Sequence, residues 1–147
     1  MSRAIELAES ITSILNTVEF SRSFTAIRSY RATFTIKELS TLHVVVVPSA
    51  IVQTPLGRGS NLDDITIDIV VLKQIDPTNN EELDSMMDLV QEIADHFRGS
   101  RSSLWQWVST NILIPYDPED LTDRRVFTSL IQLRYHLMWV KNVSTTS

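Results

Sequence analysis

Apolar residues recur along the chain with two distinct periods. Between Arg3 and Val18 they fall at Ile5, Leu7, Ala8, Ile11, Ile14, Leu15 and Val18. Gaps of three and four place them on one stripe, so this stretch is predicted to be an amphipathic helix, with Ser2 as its cap. Tyr30, Ala32, Phe34 and Ile36 alternate with Arg31, Thr33, Thr35 and Lys37, which predicts a half-buried strand. "LHVVVVPSAIVQT" is dense in valine and reads as a strand covered on both faces, with Pro48 at an edge, an end or a bulge. Ile65, Ile67, Ile69 and Val71 then alternate with Thr66, Asp68 and Val70 as a further strand. Between these two strands, "PLGRGSN" (Pro55–Asn61) holds Gly57 and Gly59, and predicts a hairpin with an extended tip.

"DPTNNEELDSMMDLVQEIADHFRG" predicts the second helix. Leu83, Met86, Met87, Val90, Ile93, Ala94 and Phe97 form one stripe. Thr78 or Asn80 is the expected cap, Thr78 with Glu81 has capping-box spacing, and Gly99 is placed to end the helix. Trp105, Trp107 and Ile112–Ile114 suggest a strand ending near Pro115. Phe127, Ile131, Leu133, Tyr135, Leu137 and Trp139 share one face of a long last strand, expected at the edge of the sheet. The predicted fold is α+β: a mostly antiparallel or mixed β-sheet of about five strands, with two main helices packed on one face. The 147 residues fit one domain, 1–147, with a hairpin tip near 55–61 and a flexible tail at 141–147.

Composition narrows the function classes. There is no cysteine, which excludes disulfides and thiolate metal sites. The net charge of −5 argues against a broad basic face gripping phosphate backbones. It leaves open a protein that lines a channel through which DNA slides without sticking. No segment reaches the ~18–20 apolar residues of a membrane span. "MSRAIELAES" lacks the apolar core of a signal peptide, so assembly in a cytoplasm is expected.

Enzyme signatures are sparse. "LGRGSN" has neither the strand-to-helix context nor the lysine of a phosphate loop. His43, His96 and His136 are not at metal-ligand spacing. Asp63, Asp64 and Asp68 flank one strand, and Asp117, Glu119, Asp120 and Asp123 fill one loop. Either group has the chemistry for a metal or for acid–base work, and also for a solvated surface or ion pairs with Arg124 and Arg125. Trp105 and Trp107 point the same way on a strand, toward core packing or a subunit contact.

The succession "RSYRATFTIKELSTLHVVVVPSA", a glycine–arginine turn, "DDITIDIVVLKQID", "EELDSMMDLVQEIADHFRG" and "IPYDPEDLTDRRVFTSLIQLRYHLMW" resembles the tail-terminator or tail-completion proteins of tailed phages. The resemblance runs from about Arg28 to Trp139. It implies a virion protein of the tail or neck. Its subunits form a homo-oligomeric ring, usually a hexamer, that caps the tail tube and offers a docking surface to the head–tail connector. In contractile tails the ring also meets the sheath. DNA passes through the lumen without specific binding, and no catalytic residue, cofactor, metal or membrane is implied. Arg58, Trp105, Trp107, Tyr116, Asp117, Arg124 and Arg125 are the interface residues expected on this view, with Arg58 on a contacting arm. Three alternatives stand beside this reading: a neck adaptor of the same virion, a small metal-dependent hydrolase built on Asp63, Asp64 and Asp68, and a monomeric intracellular domain with no phage role.

Overall fold

A computed structural model describes residues 2–35, 37–100, 105–114 and 116–140, without the side chains of 114, 120, 139 and 140. Asp63, Ile65, Ile67, Ile69 and Val71 are buried at every second position of one long strand, and this row organises the molecule. The elements in chain order are α1 (Arg3–Thr17), β1 (Ala26–Arg28), β2 (His43–Gly57), β3 (Ser60–Gln74), α2 (Asn80–Phe97), β4 (Trp105–Ile114) and β5 (Val126–Val140). They form one five-stranded sheet in the order β1-β2-β3-β5-β4. Every pairing is antiparallel except β1 with β2, so the sheet is mixed and the fold is α+β.

Both helices cover the same face. Leu7, Ile11 and Leu15 of α1 and Met86, Leu89, Val90, Ile93 and Phe97 of α2 share one core with Val44, Val46, Ile65, Ile67, Ile69, Phe127, Ile131 and Leu133. Burying the five large α2 side chains supplies on the order of 10 kcal/mol before chain entropy is set against it. The cap of α2 is Asn79, which accepts from the Glu82 amide at 3.1 Å, and not Thr78 or Asn80. Thr78 is used one step earlier: its amide and hydroxyl donate to Asp76 in a turn at Pro77. Gly99 follows the helix at φ 72°, the left-handed position that a glycine takes at least cost.

Two strands depart from the sequence expectation. Residues 29–35 are irregular, and the strand preceding β2 is the three-residue β1. Ala32 and Phe34 instead cross the face opposite the helices and pack on a second cluster of Leu39, Val45, Leu72 and Val126. A segment lying over a sheet alternates in and out as a strand does, so both give the same pattern. This second layer explains why Val44, Val45 and Val46 are all fully buried. The last strand is not at an edge. It pairs with β3 over its whole length and with β4 from Leu130 to Leu137. Pro48 does sit at a bulge. The expected tail at 141–147 lies outside the described residues.

Candidate functional site

From Ser49 to Arg58 every residue is exposed, and this ten-residue run forms the outer side and tip of an arm. The arm is three strands wide. Ala50–Gly57 of β2 pairs with Ser60–Thr66 of β3, which pairs with Arg134–Val140 of β5. The strands continue to Gly57 and Ser60, so the hairpin loop shrinks to Arg58 and Gly59. Gly59 has φ 79°, a conformation that explains a glycine there. Arg58 is exposed at the extreme tip. Ile51, Val52 and Leu56 are 50%, 58% and 51% exposed, apolar positions that none of the described residues covers.

The arm is anchored at its root. Asp63 is only 1% exposed, on the helix side of β3. Arg3 at the start of α1 donates to it at 2.6 Å, and Gln53 donates at 3.1 Å. A buried carboxylate requires such partners, so this junction ties α1 to both strands of the hairpin.

The sheet face away from the helices carries a separate polar row. Arg134 bonds Asp64 through two nitrogens, one at 3.3 Å, and His136 stands 3.6 Å from the same carboxylate. The Arg134 hydrogen bond holds the Asp64 carboxyl below its ordinary value, against the opposing effect of burial. Asp68 behaves in the opposite way. Burial pushes its carboxyl up, and hydrogen bonds from Gln132 and Ser49 only moderate the shift. Strand alternation therefore places Asp63 on one face and Asp64 and Asp68 on the other. Each of the three has its own partners, so they do not converge on one point. Among the described residues no group of three or more His, Asp or Glu side chains is arranged to hold a metal ion.

The remaining expected site residues are scattered. Trp105 and Trp107 do point the same way, half-buried against the main core. Trp107 donates its ring N–H to Thr110 at 2.8 Å. Tyr116 (45% exposed), Asp117, Arg124 and Arg125 belong to the loop before β5. That loop folds on itself: Leu121 and Glu119 donate to Asp117, and the Arg125 carbonyl accepts from Ile75. It adjoins the Val126 end of β5, whereas Arg58 lies beyond the Val140 end. Fifteen residues of strand separate them, about 45–50 Å. Arg58 and the Tyr116–Arg125 loop are therefore two surfaces at opposite ends of the molecule.

What sequence reading missed is the pair of open edges. β1 covers β2 only from Val44 to Val46, and among the described residues no other strand pairs with Pro48–Gly57 on that side. β4 is the other outer strand. The Ser100 carbonyl takes its Trp107 amide, and no described strand adjoins it beyond. Beside β4 and α2 lies a groove of about 450 Å³, lined by Ala94, Asp95, Arg98, Trp107, Thr110 and Ile112 among others. No protein-family model matches the chain, and no curated protein does.

Proposed function

We infer that this protein is a tail-terminator subunit of a tailed phage. Its copies close into a ring, hexameric on this reading, that caps the tail tube and receives the head–tail connector. The observation that supports this reading best is the exposed arm, Ser49–Arg58, on a sheet open at both sides. The outer strands β2 and β4 run in opposite directions, because the order β2-β3-β5-β4 alternates at every step. Copies related by rotation can therefore meet edge to edge as antiparallel neighbours, a heterologous contact that closes into a ring. The overall charge of −5 suits a passage for DNA that does not retain phosphate. On this reading the protein acts by shape, in the virion, and transforms no ligand.

The test uses purified tail tubes and negative-stain electron microscopy. The expected result is a ring at one tube end and an arrest of further tube growth. Rings that bind the connector and ignore tubes would instead identify a neck adaptor. Divalent-metal titration by calorimetry tests the hydrolase alternative, and heat of binding at one site per chain would favour it.

A further inference from the structure

The sheet's hydrogen-bonding parity defines how two copies meet, an inference that rests on the ring reading above. Ser29 donates to the Val46 carbonyl from outside β2, so Val46 turns its polar groups away from β3. Pro48, two residues on, lies in the same phase and forfeits no bond to β3. Past the bulge at Ser49, Pro55 marks the outward phase again, because a proline cannot donate to a ladder. Ile51 and Gln53 share that phase, so their amides and carbonyls point off the edge. On β4 the Trp107 amide points outward to Ser100. Past the bulge at Val108, Thr110 and Ile112 have that phase. All four of these residues carry their side chains on the helix side. Ile51 pairs with Ile65, Gln53 bonds Asp63, Thr110 accepts from Trp107, and Ile112 packs on the core.

We propose that Ile51 and Gln53 of one copy pair with Ile112 and Thr110 of the next, continuing the sheet antiparallel from arm to β4 edge. The matching phase is the first requirement. Residues that exchange hydrogen bonds across an antiparallel pair have side chains on the same face, so this pairing keeps every copy's helices on one side. The second is shape. Ile51, half exposed in the free chain, enters the groove between β4 and α2 beside Ile112 and Trp107. The third is charge. The N-terminal end of α1 flanks the β2 edge through Ala4 and Ile5, and the C-terminal end of α2, with Asp95, flanks the β4 edge. Joining sets the positive end of one helix dipole near the negative end of the other. The fourth is stagger. Ile51, Ile65, Tyr135 and Trp107 form one row across the subunit. The neighbour joins at Ile112, whose partner Ile131 lies four residues from Tyr135. That is one residue of shear per strand over β2, β3, β5 and β4, the ratio of a closed eight-stranded barrel with shear eight and strands tilted about 36°. A stable joint needs roughly 800 Å² per partner. That is a modest share of the 8748 Å² exposed by the free chain.

The chain has no cysteine, so cross-links report the joint directly. In the proposed register Val52 and Asn111, both exposed, stand opposite each other in a non-hydrogen-bonded pair, close enough for a disulfide. The double variant Val52→Cys/Asn111→Cys, oxidised after assembly on tubes, should give a ladder of covalent multimers on denaturing gels. Either single variant can give dimers at most. Val52→Cys/Ser109→Cys, two residues out of register, should give no ladder. A ladder from this second pair alone, or from neither pair, overturns the joint. Tube capping is scored on the same samples. A ladder without capping keeps the joint and removes the tail-terminator reading, and capping without a ladder does the reverse.

Discussion

Ile51 and Ile65 are cross-strand neighbours with opposite expected roles, and truncating each to alanine separates assembly from folding. Ile65 is fully buried in the main core. Removing three carbons there costs the transfer free energy plus a cavity term, about 3–4 kcal/mol. Ile51 is 50% exposed, so the same change in the free chain loses about half a burial, roughly 1 kcal/mol. For a chain of this length each kcal/mol moves Tm by roughly 2–4 °C. Ile65→Ala should therefore lower the Tm of the unassembled protein by about 6–16 °C, and Ile51→Ala by about 2–4 °C. Assembly should show the reverse order. Ile51→Ala removes the side chain proposed to enter a neighbour's groove and should weaken ring formation, whereas folded Ile65→Ala retains the arm surface. Thermal melts at low protein concentration read the first effect, and mass photometry with and without tubes reads the second. If Ile51→Ala costs the isolated chain as much as Ile65→Ala, the arm's isoleucine is already packed and is not a docking group.

Two carboxylates on the helix-free face predict opposite pH effects. Asp64 is lowered by Arg134, so its stabilisation is full above the unfolded value, near 3.8, and is lost as pH falls through its folded value. Asp64→Asn should reduce Tm at pH 7, with little effect in strong acid. Asp68 is raised by burial, so its ionised form opposes folding at neutral pH, and that penalty fades as pH drops below its folded value toward 3.8 and under. Asp68→Asn, which retains an acceptor for Gln132, should raise Tm at pH 7 and not in strong acid; a fall at pH 7 would refute the burial argument. Arg58→Glu reverses the charge at the arm tip and should leave Tm unchanged while impairing ring or tail joining, scored by tube capping; normal assembly would remove the arm assignment. Gly59→Ala forces a side chain to φ 79° and should cost about 1–2 kcal/mol, seen as a urea midpoint shift with unchanged slope.

The parts of the fold legible in sequence are those whose signals are local. α2 has a periodic stripe, acids at its start and a glycine after its end, all set within a few residues of one another. The arm tip was legible for the same reason: Gly57 and Gly59 bracket Arg58. Strand neighbours are not encoded locally. β5 alternates as any strand with one buried face does, and its interior position follows from pairing with β3 and β4, far away in the chain. The alternation over Tyr30–Thr35 reflects a crossing segment that packs its own Ala32 and Phe34 onto the sheet, and residues 29–35 join no ladder. Asp63, Asp64 and Asp68 look like a cluster in one dimension. Period-two geometry divides them, and only the partners Arg3, Arg134 and Gln132 show what each one does. The open edges were invisible in sequence because their phase depends on two bulges and on where β1 stops.

The interior position of β5 also bears on how the arm works. A two-stranded hairpin projecting into water is marginal on its own. Here β3 is held from Ser60 to Thr66 by β2 on one side and by the last residues of β5 on the other. The salt-bridged Asp63–Arg3 junction fixes the root to α1. The outer edge of β2 is thus presented by a braced, three-stranded support, and pairing with a neighbour has less chain entropy to overcome than a free loop would. Pro48 and Pro55 bracket the usable edge, and the bulges at Val108 and Leu113 bracket the regular stretch of β4. Such interruptions are the usual protection of edges against indiscriminate pairing. In the proposed joint they would confine the ladder to a few residues on each side, which would fix its register and keep the subunit from growing open sheets.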